Sequence, residues 1–282
     1  MTESLDSRSA VPGLERGLRI LGLFRRSRAM IAPPEMAREL GIPRSTVHRL
    51  VLTLEELGFL RRVAGGAYGL GPAVLTIGFE YLGSLDIVQL SNPVLARLHD
   101  ETSWSTHLAV RNGTDIVYLS RHASRAAVTN NVSVGSALPA HATVMGRVML
   151  ADLAPAELQA LYGETRLPRY TEQTPTTLAA LEELLAEDRQ RGYAVSVSFF
   201  ERGVASVAAP LRDHSGRAVA AINVTAVEAA LDAAFLDGAL KDRVLAAAAE
   251  ISAMLGAPTT STGDAAAEPV QAPALRSQLF GT

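Results

Sequence analysis

The six-residue run RSTVHR at 44–49 holds five side chains able to donate hydrogen bonds, Arg44, Ser45, Thr46, His48 and Arg49, around a single apolar Val47. Val47, Leu50, Val51, Leu54 and Leu57 recur at spacings of three and four. A helix through this run buries them as one stripe and turns the five donors, with Thr53, outward. Such donors match phosphate oxygens and base edges, and an α-helix fits the major groove of DNA. Arg61 and Arg62 follow on a weakly alternating segment that turns at Gly65-Gly66, placed to meet the DNA backbone or the minor groove.

The chain offers little for other chemistry. Its six histidines, His48, His99, His107, His122, His141 and His214, make no HExxH or other metal spacing. Without cysteine there is neither a disulfide framework nor a thiolate zinc site. No GxSxG nucleophile elbow, P-loop or GxGxxG after a strand is present. The expectation is therefore a protein that is not an enzyme, with no catalytic residues, no metal and no cofactor. An acid–base pair of scattered carboxylates is the alternative that the sequence leaves open.

The DNA-facing donors need a frame, and the flanking residues supply one. Pro33 and Pro34 favour a helix start, Met36, Ala37 and Leu40 share one face, and Gly41 ends the helix. Ile42 plugs the turn and Pro43 opens the helix that carries the donors. Gly58 closes it, and 59–63 and 67–70 read as a hairpin around Gly65-Gly66. Leu14, Leu18, Leu21, Leu23 and Phe24 have the spacing of a helix ahead of this pair. The pattern is a winged helix-turn-helix; a helix pair that contacts protein instead of DNA is the rival reading.

Charge separates this end from the rest. Residues 1–70 hold 11 Arg and no Lys against 7 Asp+Glu, whereas residues 71–282 hold 15 Lys+Arg against 22 Asp+Glu, within a net charge of −3. Only one domain is built to face phosphates. Hydrophobic content of 48% and charged content of 20% suit a globular protein. No signal-peptide core and no apolar run of about 18 residues is seen, so no membrane partner and a cytoplasmic place are expected.

The expected organisation is a disordered start at 1–11, a DNA-binding domain at 12–70, a linker helix within 71–84, a larger domain at 85–256 and a disordered tail at 257–282. In the larger domain Leu85–Thr102 reads as an amphipathic helix with Ile87, Val88, Leu90, Val94, Leu95 and Leu98 inward. Thr106–Val110 and Asp115–Arg121 read as paired strands joined by a type I′ turn at Asn112-Gly113. Ala127–Val134 reads as a third strand. Helices are expected over His141–Leu153, Pro155–Tyr162, Thr174–Arg191 and Leu231–Leu255. Strands are expected over Ala194–Ser198, Val204–Leu211 and Ala218–Ala226. The fold class is α+β, with a mostly antiparallel sheet flanked by helices.

PGLERGLRILGLF, ELGIPRSTVHRLVLTLEELGFLRR and GGAYGLGPAVLTIG together resemble the winged-helix half of the IclR-type transcriptional regulators. GSALPAHATVMGRVMLADL and the run from TLAALEELLAEDRQRGY through SFFERGVASVAAPLRD to AAINVTA resemble the family's second half, so the likeness runs from about Val11 to Gly256. The resemblance implies a one-component regulator that binds an inverted-repeat operator as a homodimer or a dimer of dimers. It implies a GAF-like C-terminal domain that holds a small organic acid, and RNA polymerase is a further candidate partner. The branch sensing aromatic acids or β-ketoadipate-pathway compounds looks similar.

Carried over by position, the resemblance places effector contacts at Val144 and Met145, at Ser196, at Ser206, and at Asn223 and Thr225, which alternate onto one face of a strand. It adds Ala127 and Asn130. Core packing competes for Met145, and ordinary sheet positions compete for Ser206, Asn223 and Thr225. The chain departs from better-known acid sensors at Ser196, where an acidic residue is often found, and at Ser206, where cysteine is. A helix starting at His141 would offer unpaired N–H groups to a carboxylate. His107 and Arg121 are alternative counter-ions, each otherwise read as a surface residue.

Overall fold

The computed structural model describes residues 11–25, 27–124, 132–163, 166–230 and 236–258. The chain divides into two compact units, Met1–Asp86 and Ile87–Thr282. The proposed disordered segments lie almost wholly outside the described residues.

In the first unit α1 (Pro12–Leu21), α2 (Pro33–Leu40) and α3 (Arg44–Glu56) enclose a core of Ile20, Phe24, Ile31, Met36, Val47, Val51, Leu60 and Tyr68. Pro33 starts α2, and Gly41 ends it at φ 66°, a left-handed conformation that a Cβ disfavours. β1 (Leu60–Arg62) and β2 (Tyr68–Leu70) pair antiparallel, and Ile31 bridges to Tyr68 as a short third rung. α4 (Ala73–Gly83) follows directly.

Two expectations for this unit are corrected. Leu57 is not in the buried stripe of α3: it sits past the helix end and is 59% exposed. Leu14 and Leu18 do not face this core, because α1 turns Gly17 and Ile20 inward instead.

The second unit is built on a six-stranded antiparallel sheet among the described residues. Its strands are β3 (Ser105–Asn112), β4 (Asp115–His122), β5 (Ala137–Pro139), β6 (Ala194–Val197), β7 (Val204–Arg212) and β8 (Ala218–Val227), in spatial order β5-β4-β3-β8-β7-β6. α5 (Asp86–Thr102) and α9 (Lys241–Met254) cover one face. Thr106 Oγ1 donates to the Leu95 carbonyl at 3.0 Å, and Arg212 N donates to Ser252 Oγ at 3.0 Å. α6 (Val144–Leu150), α7 (Pro155–Tyr162) and α8 (Leu178–Arg191) form one core with the other face.

That second face is lined by Ala109, Ala194, Ala208 and Ala221, all buried. Small side chains let α6 approach closely. Gly146 packs against the preceding turn, where an added Cβ would stand 2.1 Å from the Ala140 carbonyl oxygen.

Several boundaries differ from the sequence expectation, each for a local reason. The β3–β4 turn is Gly113-Thr114, because Asn112 pairs with Asp115; of the two only Gly113 has positive φ (62°), so the turn is not type I′. The expected strand at Ala127–Val134 falls mostly outside the described residues. Its described end, Val132–Val134, is not strand: Gly135 N and Ser136 O bond to the Tyr118 backbone, and the edge strand begins later at Ala137.

Residues 140–142 form a separate 3-10 turn, and α6 starts only at Val144. Thr143 is extended there, and its Oγ1 accepts from Gly146 N at 3.2 Å. α8 likewise begins at Leu178, capped by Thr177. Among the described residues the closing helix is α-helical from Lys241, after a wide turn at Leu236–Leu240; the expected start at Leu231 lies outside the described residues. Ile87, Val88 and Leu90 are only half-buried in α5, whose inward residues are Ser91, Val94, Leu95 and Leu98.

Candidate functional site

Two sites emerge, one in each unit. In the first, α3 presents Arg44, Ser45, His48 and Arg49 to solvent, with Thr46 half-buried beside them. Among the described residues neither Arg44 nor Arg49 makes an ion pair. Other arginines of the unit are engaged: Arg28 bonds Glu39 and, at 3.2 Å, Glu35, and Arg19 meets Glu15 at 3.7 Å. Thr53 spends its hydroxyl proton on the Arg49 carbonyl at 3.1 Å.

On the wing Arg61 and Arg62 are exposed and held in place. Arg61 Nε donates to the Leu70 carbonyl at 3.3 Å, leaving its terminal N–H groups outward. The Arg62 guanidinium lies 5.8 Å from the centre of the Tyr68 ring, its cross-strand partner. The Arg28 brace between α2 and the preceding segment went unnoticed in the sequence, where no spacing rule links it to Glu35 and Glu39.

In the second unit strand register gathers the polar side chains. His107 pairs with Asn223 and with Arg121, Ser206 pairs with Thr225, and Ser196 pairs with Ser206. These residues therefore share the sheet face that α6 covers. His107 Nδ1 lies 2.8 Å from Asn223 Oδ1, Asn223 Nδ2 donates to Thr225 Oγ1 at 2.9 Å, and Thr225 Oγ1 lies 2.9 Å from Ser206 Oγ. All four are buried, and Ser196 at the end is half-buried.

His107 is thus not a surface residue: it is 2% exposed. Burial lowers its pKa to about 4, against the opposing pull of the Asn223 hydrogen bond and with help from Arg121 and His122. It is neutral near pH 7. Arg121 brings a guanidinium to the same face and donates to the Val132 carbonyl.

The remaining expected contacts are distributed differently. Val144 and Met145 are enclosed in the core under α6. Ala127 and Asn130 lie outside the described residues. The helix start does not present free N–H groups at His141. That residue is 3% exposed in the 3-10 turn, its Nε2 is 3.0 Å from the Pro168 carbonyl, and Thr143 already occupies Gly146 N.

The buried pair Arg147–Asp188 was also not foreseen. Arg147 donates twice to Asp188, at 2.7 and 2.6 Å, and lies 4.9 Å from the Phe199 ring centre. Burial raises the Asp188 carboxyl and the Arg147 fork opposes that rise. The only hint in the sequence was an arginine inside the apolar run VMGRVML.

A groove of about 370 Å³ lies away from this row, between β7 and α9, lined by Ala209, Pro210, Leu245 and Ala248. Its polar side chains are spent, Arg212 on Asp152 and Ser252 on the Arg212 and Ala248 backbone. It offers no free group for recognition. Among the described residues no cluster of His, Asp or Glu is arranged to hold a metal, and no single helix is long and apolar enough to cross a membrane.

Comparison with known proteins places this geometry. Residues 79–253 match the family described as bacterial transcriptional regulator IclR C-terminal, and residues 13–64 match the IclR helix-turn-helix domain. The HTH-type transcriptional regulator XynR of Escherichia coli K12 is 33% identical over 252 residues, spanning 88% of this chain and 98% of that protein. The Pca regulon regulatory protein of Pseudomonas putida is 32% identical over 213 residues, spanning 75% of this chain and 73% of that one. An IclR homolog from Microbacterium hydrocarbonoxydans, solved in complex with 4-hydroxybenzoate, aligns with a TM-score of 0.75 at 27% identity, covering 86% of this chain and 98% of the other.

Proposed function

The chain belongs to the IclR family of bacterial transcriptional regulators, and from that premise we propose how it divides the work of binding an operator and sensing a metabolite. Members of this family are DNA-binding regulators with a C-terminal effector domain, not enzymes. In our reading residues 12–70 bind duplex DNA, the helix within 71–84 links, and 85–256 hold the effector.

Arg44, Ser45, Thr46, His48 and Arg49 contact base edges and phosphates, while Arg61 and Arg62 hold the backbone beside them. The observation that carries this is that Arg44 and Arg49 stand exposed on α3 and make no ion pair among the described residues, in a unit whose Arg19 and Arg28 are both neutralised. The operator is an inverted repeat read by a homodimer in the cytoplasm. Exposed Leu14 and Leu18 on α1, and Leu75, Ile77, Phe79 and Tyr81 on α4, supply an apolar surface for a second copy. Two such dimers pair on longer operators.

The effector is a small organic acid, aromatic or dicarboxylic, bound against the face that carries Ser196, Ser206, Asn223 and Thr225, with Ala127 and Asn130 completing the contact. The 4-hydroxybenzoate bound by the Microbacterium homolog supports an aromatic acid. The acid changes output only by its differential affinity for two arrangements of the dimer.

Footprinting on the DNA upstream of the chain's own gene tests the reading. Two inverted half-sites about one helical turn apart, or a multiple of it, are expected, with occupancy altered by an acid. Protection without that symmetry contradicts it.

A further inference from the structure

One end of the buried polar row has no partner among the described residues. Asn223 donates through Nδ2 to Thr225, so the amide oxygen is the half that faces His107 Nδ1. An amide oxygen only accepts, so Nδ1 carries the proton of the neutral ring and Nε2 is a bare acceptor. Nε2 is buried and makes no hydrogen bond among the described residues. Tyr118 stands edge-on to the ring, with centroids 5.4 Å apart.

The other end has the opposite character. Thr225 Oγ1 accepts from Asn223 and lies 2.9 Å from Ser206 Oγ, where either hydroxyl can donate; with Thr225 as donor, the Ser206 proton is left to donate onward. In that arrangement the row runs from an acceptor on β3 to a donor on β7. A buried acceptor is costly to leave unmade and rewards a ligand that brings a donor.

We propose that His107 reads a hydroxyl on the effector: Nε2 accepts a hydrogen bond from an O–H of the bound acid, whose carboxylate lies toward the Ser206 end. The site thereby selects hydroxy acids, phenolic or aliphatic, over the same acids without the hydroxyl. This rests on the reading that a small acid occupies this face. A site built to bond a ligand hydroxyl rejects the analogue that lacks it far more strongly than an apolar pocket rejects a missing methylene.

Calorimetric titration of the full-length protein with paired acids tests it: 4-hydroxybenzoate and benzoate, lactate and propanoate, malate and succinate. In the pair that binds, the hydroxylated acid is expected to bind about tenfold or more tightly. His107→Phe removes the acceptor and brings the pair to within about twofold. His107→Leu removes the acceptor with a smaller apolar side chain and also abolishes the preference, so the test stands if the Phe variant does not fold. Equal binding of both acids by the wild type, or an undiminished preference in both variants, overturns the proposal while leaving the acid reading in place. Binding of none of the acids overturns both.

Discussion

At the scale of single residues, neighbours decide which charges are free to act. Arg49 is exposed on α3 and makes no ion pair among the described residues, whereas Thr53 one turn on is occupied by the Arg49 carbonyl. Arg49→Ala is expected to weaken operator binding by about 1–3 kcal/mol if the side chain reads a base, and Thr53→Ala to change it little. Fluorescence anisotropy on labelled operator distinguishes them; unchanged affinity in a folded Arg49→Ala would remove Arg49 from the interface.

His107 makes a pH prediction. Below about pH 6.5 the unfolded chain takes up a proton that the folded ring refuses until about pH 4. Stability from this group is therefore full above that window and falls as pH drops through it, by about 3 kcal/mol in all. Urea midpoints measured across the window should fall less steeply in His107→Phe than in the wild type. Superimposable profiles would contradict the buried neutral ring.

At the scale of elements, α6 is the piece on which the effector domain depends. It is held by Arg147 through Asp188 on α8 and the Val195 carbonyl on β6. Arg147→Met leaves Asp188 buried and unpaired, and should cost about 3–5 kcal/mol; pairing it with Asp188→Leu should recover most of that. Thermal and urea unfolding of the two variants check the order. A single variant as stable as the double would contradict the coupling. Gly146→Ala would drive a Cβ into the Ala140 backbone and is expected to cost about 1–3 kcal/mol or more.

What the sequence revealed about these elements follows from whether a signal was local. Gly41, the proline pairs and the Val47–Val51 spacing act within one turn, so the helix-turn-helix was readable. The alternation of Asn223 and Thr225 was readable for the same reason. Their connection to His107 was not, because it depends on strands more than a hundred residues apart coming into register. Thr143 capping α6 one residue before Val144, and Arg147 finding Asp188 on another helix, are tertiary choices that hydrophobic periodicity does not encode.

At the scale of the whole molecule, the exposed apolar residues of α1 and α4 are where the proposed pairing of two copies can be tested. Phe79 is 61% exposed and Ile77 59%. Phe79→Glu is expected to shift sedimentation toward monomer and to weaken operator binding in proportion, with the circular dichroism spectrum unchanged. A variant that stays dimeric would exclude α4 from the interface.

The central claim, that an arginine-bearing helix reads specific duplex DNA under control of a bound acid, is tested most directly by one titration. Affinity for the chain's own promoter and for random duplex is measured over a range of salt, with and without the acid. The expected result is a promoter preference of about 10³-fold or more, an affinity that falls steeply with salt on both DNAs, and a shift in the promoter curve when the acid is added. Equal affinity for both DNAs under every condition would contradict it.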